Sequence, residues 1–129
     1  GHPGERFGED FLRILRAVRF AAHLDFEIEK NTLIAIKKHA SQITKISGER
    51  IAAEMESLSA ASCRKKGVEL LISTGLAERI FPAFKNKDIA ESAGRIFDEL
   101  PKRISFELFL HFLKIALFLC ISRHYSLRF

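Results

Sequence analysis

Two adjacent acids, Glu9 and Asp10, precede three arginines at three-residue spacing, Arg13, Arg16 and Arg19, in the segment RFGEDFLRILRAVRF. A carboxylate only accepts hydrogen bonds and a guanidinium only donates them. Side by side, Asp10 and Arg13 therefore present an acceptor next to a donor. The pairing edges of cytosine and adenine carry an exocyclic amine donor beside a ring-nitrogen acceptor, whereas guanine and uracil carry the opposite order. An Asp–Arg pair matches C and A and opposes G and U without a nucleic-acid template. A good two-bond contact to a base discriminates by about 1–3 kcal/mol, and a buried polar group left unpaired in the wrong complex costs a similar ~1–3 kcal/mol. The plainer alternative is an intrahelical Asp10–Arg13 salt bridge, worth only a few tenths of a kcal/mol.

Such a pair needs an element to hold it, and the spacing predicts one helix from about Gly8 to His23. At about 100° per residue from Asp10, the residues Phe11, Ile14, Leu15, Val18, Ala21 and Ala22 fall in a core-facing sector of roughly 20–140°. Arg13, Arg16 and Arg19 fall at roughly 300°, 240° and 180°. Asp10 and Arg13 are then neighbours one turn apart, with Ala17 beside them. Because Ala17 is small, a flat group can approach without a steric wall.

The remaining elements also read as helices. Asn31 or Thr32 can cap a second helix running to about His39. Ser47-Gly48 opens a third, Glu49 to about Ser59, with Ile51, Ala52, Met55 and Leu58 along one side. Arg50 and Glu54 lie four apart on it, so an internal ion pair competes with contacts to the first helix. Ser62 can cap a fourth helix, and Gly75 lies where a helix C-terminus favours a left-handed residue. Leu70, Leu71, Leu76, Ile80 and Phe81 form an apolar cluster around that turn. A charged loop, Lys85 to Lys87, precedes a helix from about Asp88 to Leu100, closed by Pro101. A last helix spans about Ser105 to Ser122, with Phe106, Phe109, Phe112 and Phe118 as core positions. Period-2 alternation is almost absent, and the fold class is all-α with about six to seven helices.

Composition sets outer limits. The chain of 129 residues is one domain's worth, or two small helical units, and its 47% hydrophobic content with 12 phenylalanines suffices for a core. The net charge of +5 favours a nucleic-acid partner. Residues 1–60 are balanced, and the basic excess lies in residues 61–129. Arg64, Lys65 and Lys66 sit where a helix begins, the wrong sign for its dipole. A solvated face explains them best, and contact with an RNA backbone is the second reading. Cys63 and Cys120 show no disulfide or zinc spacing, which fits a reducing, cytoplasmic setting. The five histidines form no ligand pattern. The Ser105–Ile121 run is interrupted by charge and is shorter than the ~20 residues of a membrane span.

The run GERFGEDFLRILRAVRFAAHLDFEIEKNTL followed by SGERIAAEM resembles the neck region of the class II tRNA nucleotidyltransferase (CCA-adding enzyme) and bacterial poly(A) polymerase family. The likeness continues through GVELLISTGLAERIFPAF and becomes faint after Pro101. It implies that residues 1–60 form a neck and 61–129 the start of a helical body. It also implies that Asp10 and Arg13 make pairing-like contacts to the incoming nucleotide base, with Glu9 orienting them and Arg16 available for triphosphate or stacking contact. Glu49, Arg50 and Glu54 match the motif that braces the base-reading helix. The family's Gly-Ser element and Asp-x-Asp carboxylates, carried on an N-terminal β-sheet domain, have no counterpart in this sequence. The resemblance thus implies a fragment, inactive alone, of an enzyme adding C and/or A from CTP or ATP to an RNA, tRNA above all, with Mg²⁺ bound by that absent catalytic domain. A non-catalytic helical RNA-binding or protein-interaction module is the alternative. Apolar surface normally covered by neighbouring domains would favour a homo-oligomer of the isolated chain.

Overall fold

The computed structural model describes residues 2–88, together with positions 91, 92, 95, 107, 108 and 111. The regular elements among the described residues are all helices, with no strand among them. The two helices expected after Asp88 and after Ser105 are helical at their described positions. Otherwise they, with Pro101, Cys120 and the phenylalanines 106, 109, 112 and 118, lie outside the described residues.

Helix α1 (Pro3–Glu9) starts with proline in its first turn, where the missing N–H costs nothing. Helix α2 (Leu12–Leu24) follows after a break at Asp10 and Phe11. The single helix expected from Gly8 to His23 is thus two. The physical cause is Asp10: its backbone is extended (φ −150°, ψ 106°), and its Oδ1 accepts the Leu12 amide at 3.0 Å. Aspartate competes for nearby backbone amides outside the helix, which favours it at ends rather than in interiors. From Leu12 onward the helical count holds. Leu12, Ile14, Leu15, Val18, Ala21 and Ala22 are buried, Phe11 is half-buried, and Arg13 and Arg16 are exposed. Asp25 ends α2 in the left-handed region (φ 50°), a conformation aspartate tolerates better than most residues.

Helix α3 (Lys30–His39) is capped by Glu29, whose side chain accepts from the Thr32 amide, rather than by Asn31 or Thr32. A 3₁₀ segment, Ala40–Lys45, leads to α4 (Gly48–Ser59), capped by the Ser47 hydroxyl on the Arg50 amide. Met55 and Leu58 of α4 are buried and Ile51 half-buried, but Ala52 is exposed and Glu54 takes an inward position instead. Helix α5 (Arg64–Ser73) has Cys63 at its N-cap, not Ser62; the Ser62 hydroxyl donates to the His23 carbonyl. Gly75, at φ 84°, turns the chain into α6 (Leu76–Ile80), after which Pro82–Lys85 forms a second 3₁₀ turn.

Helix α2 is the central element: it packs on α1, α4 and α5, while α6 packs on α5 and on the 3₁₀ segment 40–45. One apolar cluster runs from Phe7 through Ile14, Leu15, Ile36, Ile43 and Leu58 to Val68, Leu76 and Phe84. The core is therefore continuous across residue 60. At Gly67 the α5 backbone passes so near α2 and α4 that an added Cβ would lie 2.4 Å from Leu58 Cδ1 and 3.0 Å from Ala22 Cβ. No helix among the described residues is long and apolar enough to cross a membrane.

Candidate functional site

The break between α1 and α2 decides how the acids and arginines meet. Asp10 is outside the α2 register, so it does not sit one turn from Arg13 on a shared face. Arg13 Nη1 instead donates to Glu9 Oε2 at 3.0 Å, across the break, and to the Arg6 carbonyl at 3.4 Å. Asp10 Oδ2 accepts from Arg50 Nη2 of α4 at 3.1 Å. The Leu12 amide on its other oxygen, followed by Arg50, holds the Asp10 carboxyl below the usual carboxylate range, against a partial opposing effect of desolvation. Asp10 is consequently ionised at neutral pH. Its two described bonds leave lone pairs on both oxygens, since an ionised carboxylate offers about four acceptor sites.

Glu54 organises the next turn. It is buried at 7% exposure, and it faces α2 rather than Arg50 of its own helix. Its Oε1 accepts from Arg16 Nε at 3.1 Å, and its Oε2 lies 2.7 Å from Arg19 Nε. The second approach is an ion pair without hydrogen-bond alignment; the bond Arg19 does make runs from Nη1 to Ser57 Oγ at 3.2 Å. His23 Nε2 adds a contact to the Ser57 carbonyl at 3.0 Å. The internal Arg50–Glu54 pair allowed by their spacing is replaced by two inter-helix attachments, Arg50 to Asp10 and Glu54 to Arg16 and Arg19. Glu49 lies exposed in the first turn of α4, a favourable place for an acid.

Above Ala17 the surface opens into a cleft of about 380 Å³, lined by Arg6, Phe7, Arg13, Arg16, Ala17, Phe20 and Thr32. Small-molecule sites typically occupy ~300–1,000 Å³. Ala17 lies in the cleft beside Arg13 and Arg16, but Asp10, expected next to it, is not among the lining residues. Neither arginine is exhausted by its carboxylate, because each carries five donors. Phe20, on the same face of α2, was not singled out by the sequence reading, although its helical position next to Arg13 and Ala17 follows from the same 100° count. Phe7, Arg6 and Thr32 reach the cleft from other helices, which no single-helix periodicity reveals.

The basic triplet behaves differently from a solvated face. Arg64 is buried at 5% exposure, and burial pushes its pKa down. Lys66 Nζ bridges Asp25 Oδ1 at 3.0 Å and Glu27 Oε1 at 2.8 Å. Hydrogen bonds to these two carboxylates push the lysine up and hold Asp25 down. Lys65 is half-buried and engaged within the fold. The reason is topological: α5 begins against the end of α2, so its first turn faces acids and backbone there. Cys63, at that junction, is half-buried and in no disulfide.

Comparison with known proteins gives this arrangement a context. Residues 25–88 match the family model described as "Probable RNA and SrmB- binding site of polymerase A". That match takes in α3 to the second 3₁₀ turn, including Arg50, Glu54 and the 64–66 triplet, and begins after the Glu9–Arg16 motif. Among curated proteins, the chain is 47% identical over 87 residues to the CCA-adding enzyme of Pediococcus pentosaceus, covering 67% of this chain and 22% of that protein. It is 43% identical over 107 residues to the CCA-adding enzyme of Streptococcus agalactiae serotype V, covering 83% and 26%. The CCA-adding enzyme of Streptococcus mutans is 49% identical over 74 residues, covering 57% and 18%. The chain belongs to the CCA-adding enzyme and poly(A) polymerase family. It spans about a fifth to a quarter of the length of the curated relatives it matches.

Proposed function

We propose that this chain is the base-reading and RNA-contacting segment of a template-independent RNA nucleotidyltransferase that adds C and/or A from CTP or ATP to RNA 3′ ends, tRNA being the preferred substrate. Residues 1–60 serve as the neck, and residues from 61 begin the body. The observation that carries this reading is the open cleft over Ala17, flanked by Arg13 and Arg16 and attached to α4 through Asp10–Arg50 and Glu54–Arg16.

In this reading Arg13, which lines the cleft, donates to the ring nitrogen of C or A, and Asp10, set in the break outside the cleft lining, accepts the exocyclic amine from the other side of that break. Arg50 and the Leu12 amide keep Asp10 ionised and aimed, and Glu9 holds Arg13 on the far side of the break. Pre-organised donors and acceptors avoid the cost of ordering at the moment of binding. Glu49, Arg50 and Glu54 are bracing residues. Arg50 and Glu54 act through Asp10, Arg16 and Arg19, and Glu49 stands exposed in the first turn of the same helix.

Mg²⁺ supplies charge neutralisation and activation of the attacking hydroxyl in this class of phosphoryl transfer. The residues described do not fit that ion: Glu9 and Asp10 each face a guanidinium, and no three ligating side chains converge among the described residues. The transfer step is therefore assigned to none of the described residues. RNA backbone contact falls better to the exposed Lys37, Lys38 and Lys45 than to Arg64 and Lys66, which the fold already engages. Exposed Leu24, Phe26 and Ile34 support self-association of the isolated chain.

Calorimetric titration of the chain with the four nucleoside triphosphates tests the base-reading. CTP and ATP should bind at least tenfold more tightly than GTP and UTP, and both Asp10→Ala and Arg13→Ala should erase that preference. Equal affinity for all four bases, or a preference that survives both substitutions, sinks the proposal.

A further inference from the structure

The cleft has an aromatic wall that the pairing scheme does not use. Phe20 is 46% exposed, far more than a core phenylalanine, and its ring borders the cleft beside Ala17. One face of the ring is covered: the Arg19 guanidinium carbon lies 4.6 Å from its centroid. Arg19 is itself fixed at 2.7 Å from Glu54 and through its bond to Ser57. A chain of contacts from buried Glu54 through Arg19 thus sets an exposed ring in place, where an unsupported surface phenylalanine would turn among rotamers. A cation above one face of an aromatic ring is an attractive contact that orders both partners. The ring remains nearly half exposed despite that contact, and Arg6, Arg13 and Arg16 line the same cleft.

We propose that Phe20 is a stacking platform for a nucleobase in this cleft, held by Glu54 through Arg19. This deepens, and rests on, the base-binding reading above: pairing by Asp10 and Arg13 selects the base, whereas Phe20 supplies affinity that is indifferent to its identity. Every base has a π-face, so stacking strengthens binding without discriminating. Glu54 is then a positioning residue for two ligand-facing groups, Arg16 directly and Phe20 through Arg19. The base belongs either to a free nucleoside triphosphate or to the end of an RNA strand.

The chain contains no tryptophan, so Phe20→Trp places a single indole reporter on the platform. Its fluorescence is followed with each nucleoside triphosphate, with inorganic tripolyphosphate and with a short RNA ending in CC. In parallel, affinities are measured for the wild-type chain, Phe20→Leu and Phe20→Ala, with circular dichroism as the check on folding. Quenching by ligands that carry a base, and roughly tenfold or greater weakening in both Phe20→Leu and Phe20→Ala, support the platform. Quenching by triphosphates assigns the base to the incoming nucleotide, and quenching by the RNA alone assigns it to the strand end. Tripolyphosphate quenching equal to that of ATP, unchanged affinity in the folded Phe20→Leu and Phe20→Ala chains, or no binding of any base overturns it. Loss of C/A preference with Phe20 dependence retained would instead remove the pairing scheme and leave the platform standing.

Discussion

Helix α2 is fastened along two flanks by different physics. Toward α4 the attachment is ionic: Arg16 and Arg19 converge on one buried acid, Glu54, and Asp10 reaches Arg50 from the break before the helix. Toward α5 it is steric, since Gly67 leaves no room for a Cβ beside Ala22 of α2 and Leu58 of α4, and only at the margin is there a charge cluster. That cluster, Lys66 between Asp25 and Glu27, has the inverse composition of the Glu54 one, a single base between two acids, and its acids lie in solvent. Desolvated charge must be compensated, so removal of one partner inside is costly. Solvated charge is already compensated by water, and its pairing adds little. The flank that borders the cleft is the one held by directional, charged contacts. The opposite flank needs only shape.

Substitutions can break this contrast, and the largest effect is expected at Glu54. Glu54→Ala leaves two guanidiniums facing each other without an acid, and should lower stability by about 2–4 kcal/mol in chemical denaturation. The two arginines are partly exposed, which keeps the figure at the low end for a buried pair. Gly67→Ala comes next. The new methyl meets Leu58 and Ala22, and overpacking of this kind costs about 1–3 kcal/mol; a shift of the denaturation midpoint without a change in slope is the expected signature.

Lys66→Met should come third, with a midpoint nearly that of the wild type in the same experiment. A loss as large as that of Glu54→Ala would show that solvent exposure does not separate the two clusters. The smallest effect is a pH dependence at Asp10. Its folded-state pKa lies below the ordinary 3.8, so its contribution is present above that value and fades as pH falls through the lowered one. The stability difference between wild type and Asp10→Asn should therefore be constant near neutrality and shrink in acid. Asp25 titrates in the same sense. Lys66, raised above 10.5, contributes fully below that value and loses its contribution only at more alkaline pH.

The helix faces and turns behind this contrast were legible in the residue order, because they rest on local rules; the contrast between the flanks was not. The helical count separated the buried face Ile14, Leu15, Val18, Ala21 and Ala22 from the arginines, and Gly75 fell at the predicted left-handed turn. The opening of α4 at Ser47-Gly48 read correctly, because a serine hydroxyl three residues before an amide is a local arrangement. The break at Asp10 was missed because helix periodicity continues through it; only the competition of the Asp10 side chain for the Leu12 amide interrupts the helix. The partners of Glu54 and Lys66 were out of reach for another reason. Each lies roughly 40 residues away in the chain, and charge at a distance carries no signature until the packing of α2 on α4 and α5 selects it. Arg64 shows the same limit: a basic residue in a first helical turn reads as solvated until α5 is known to begin against α2.

The joint at Asp10 fastens two neighbouring acids to different elements. Glu9 rides on α1, while Asp10 is tied to the first amide of α2 and to α4. Arg13 is therefore tied to α1 through Glu9, and Arg16, one turn on, to α4 through Glu54. The cleft is thus held from two sides, by α1 with its buried Phe7 and by Glu54 of α4.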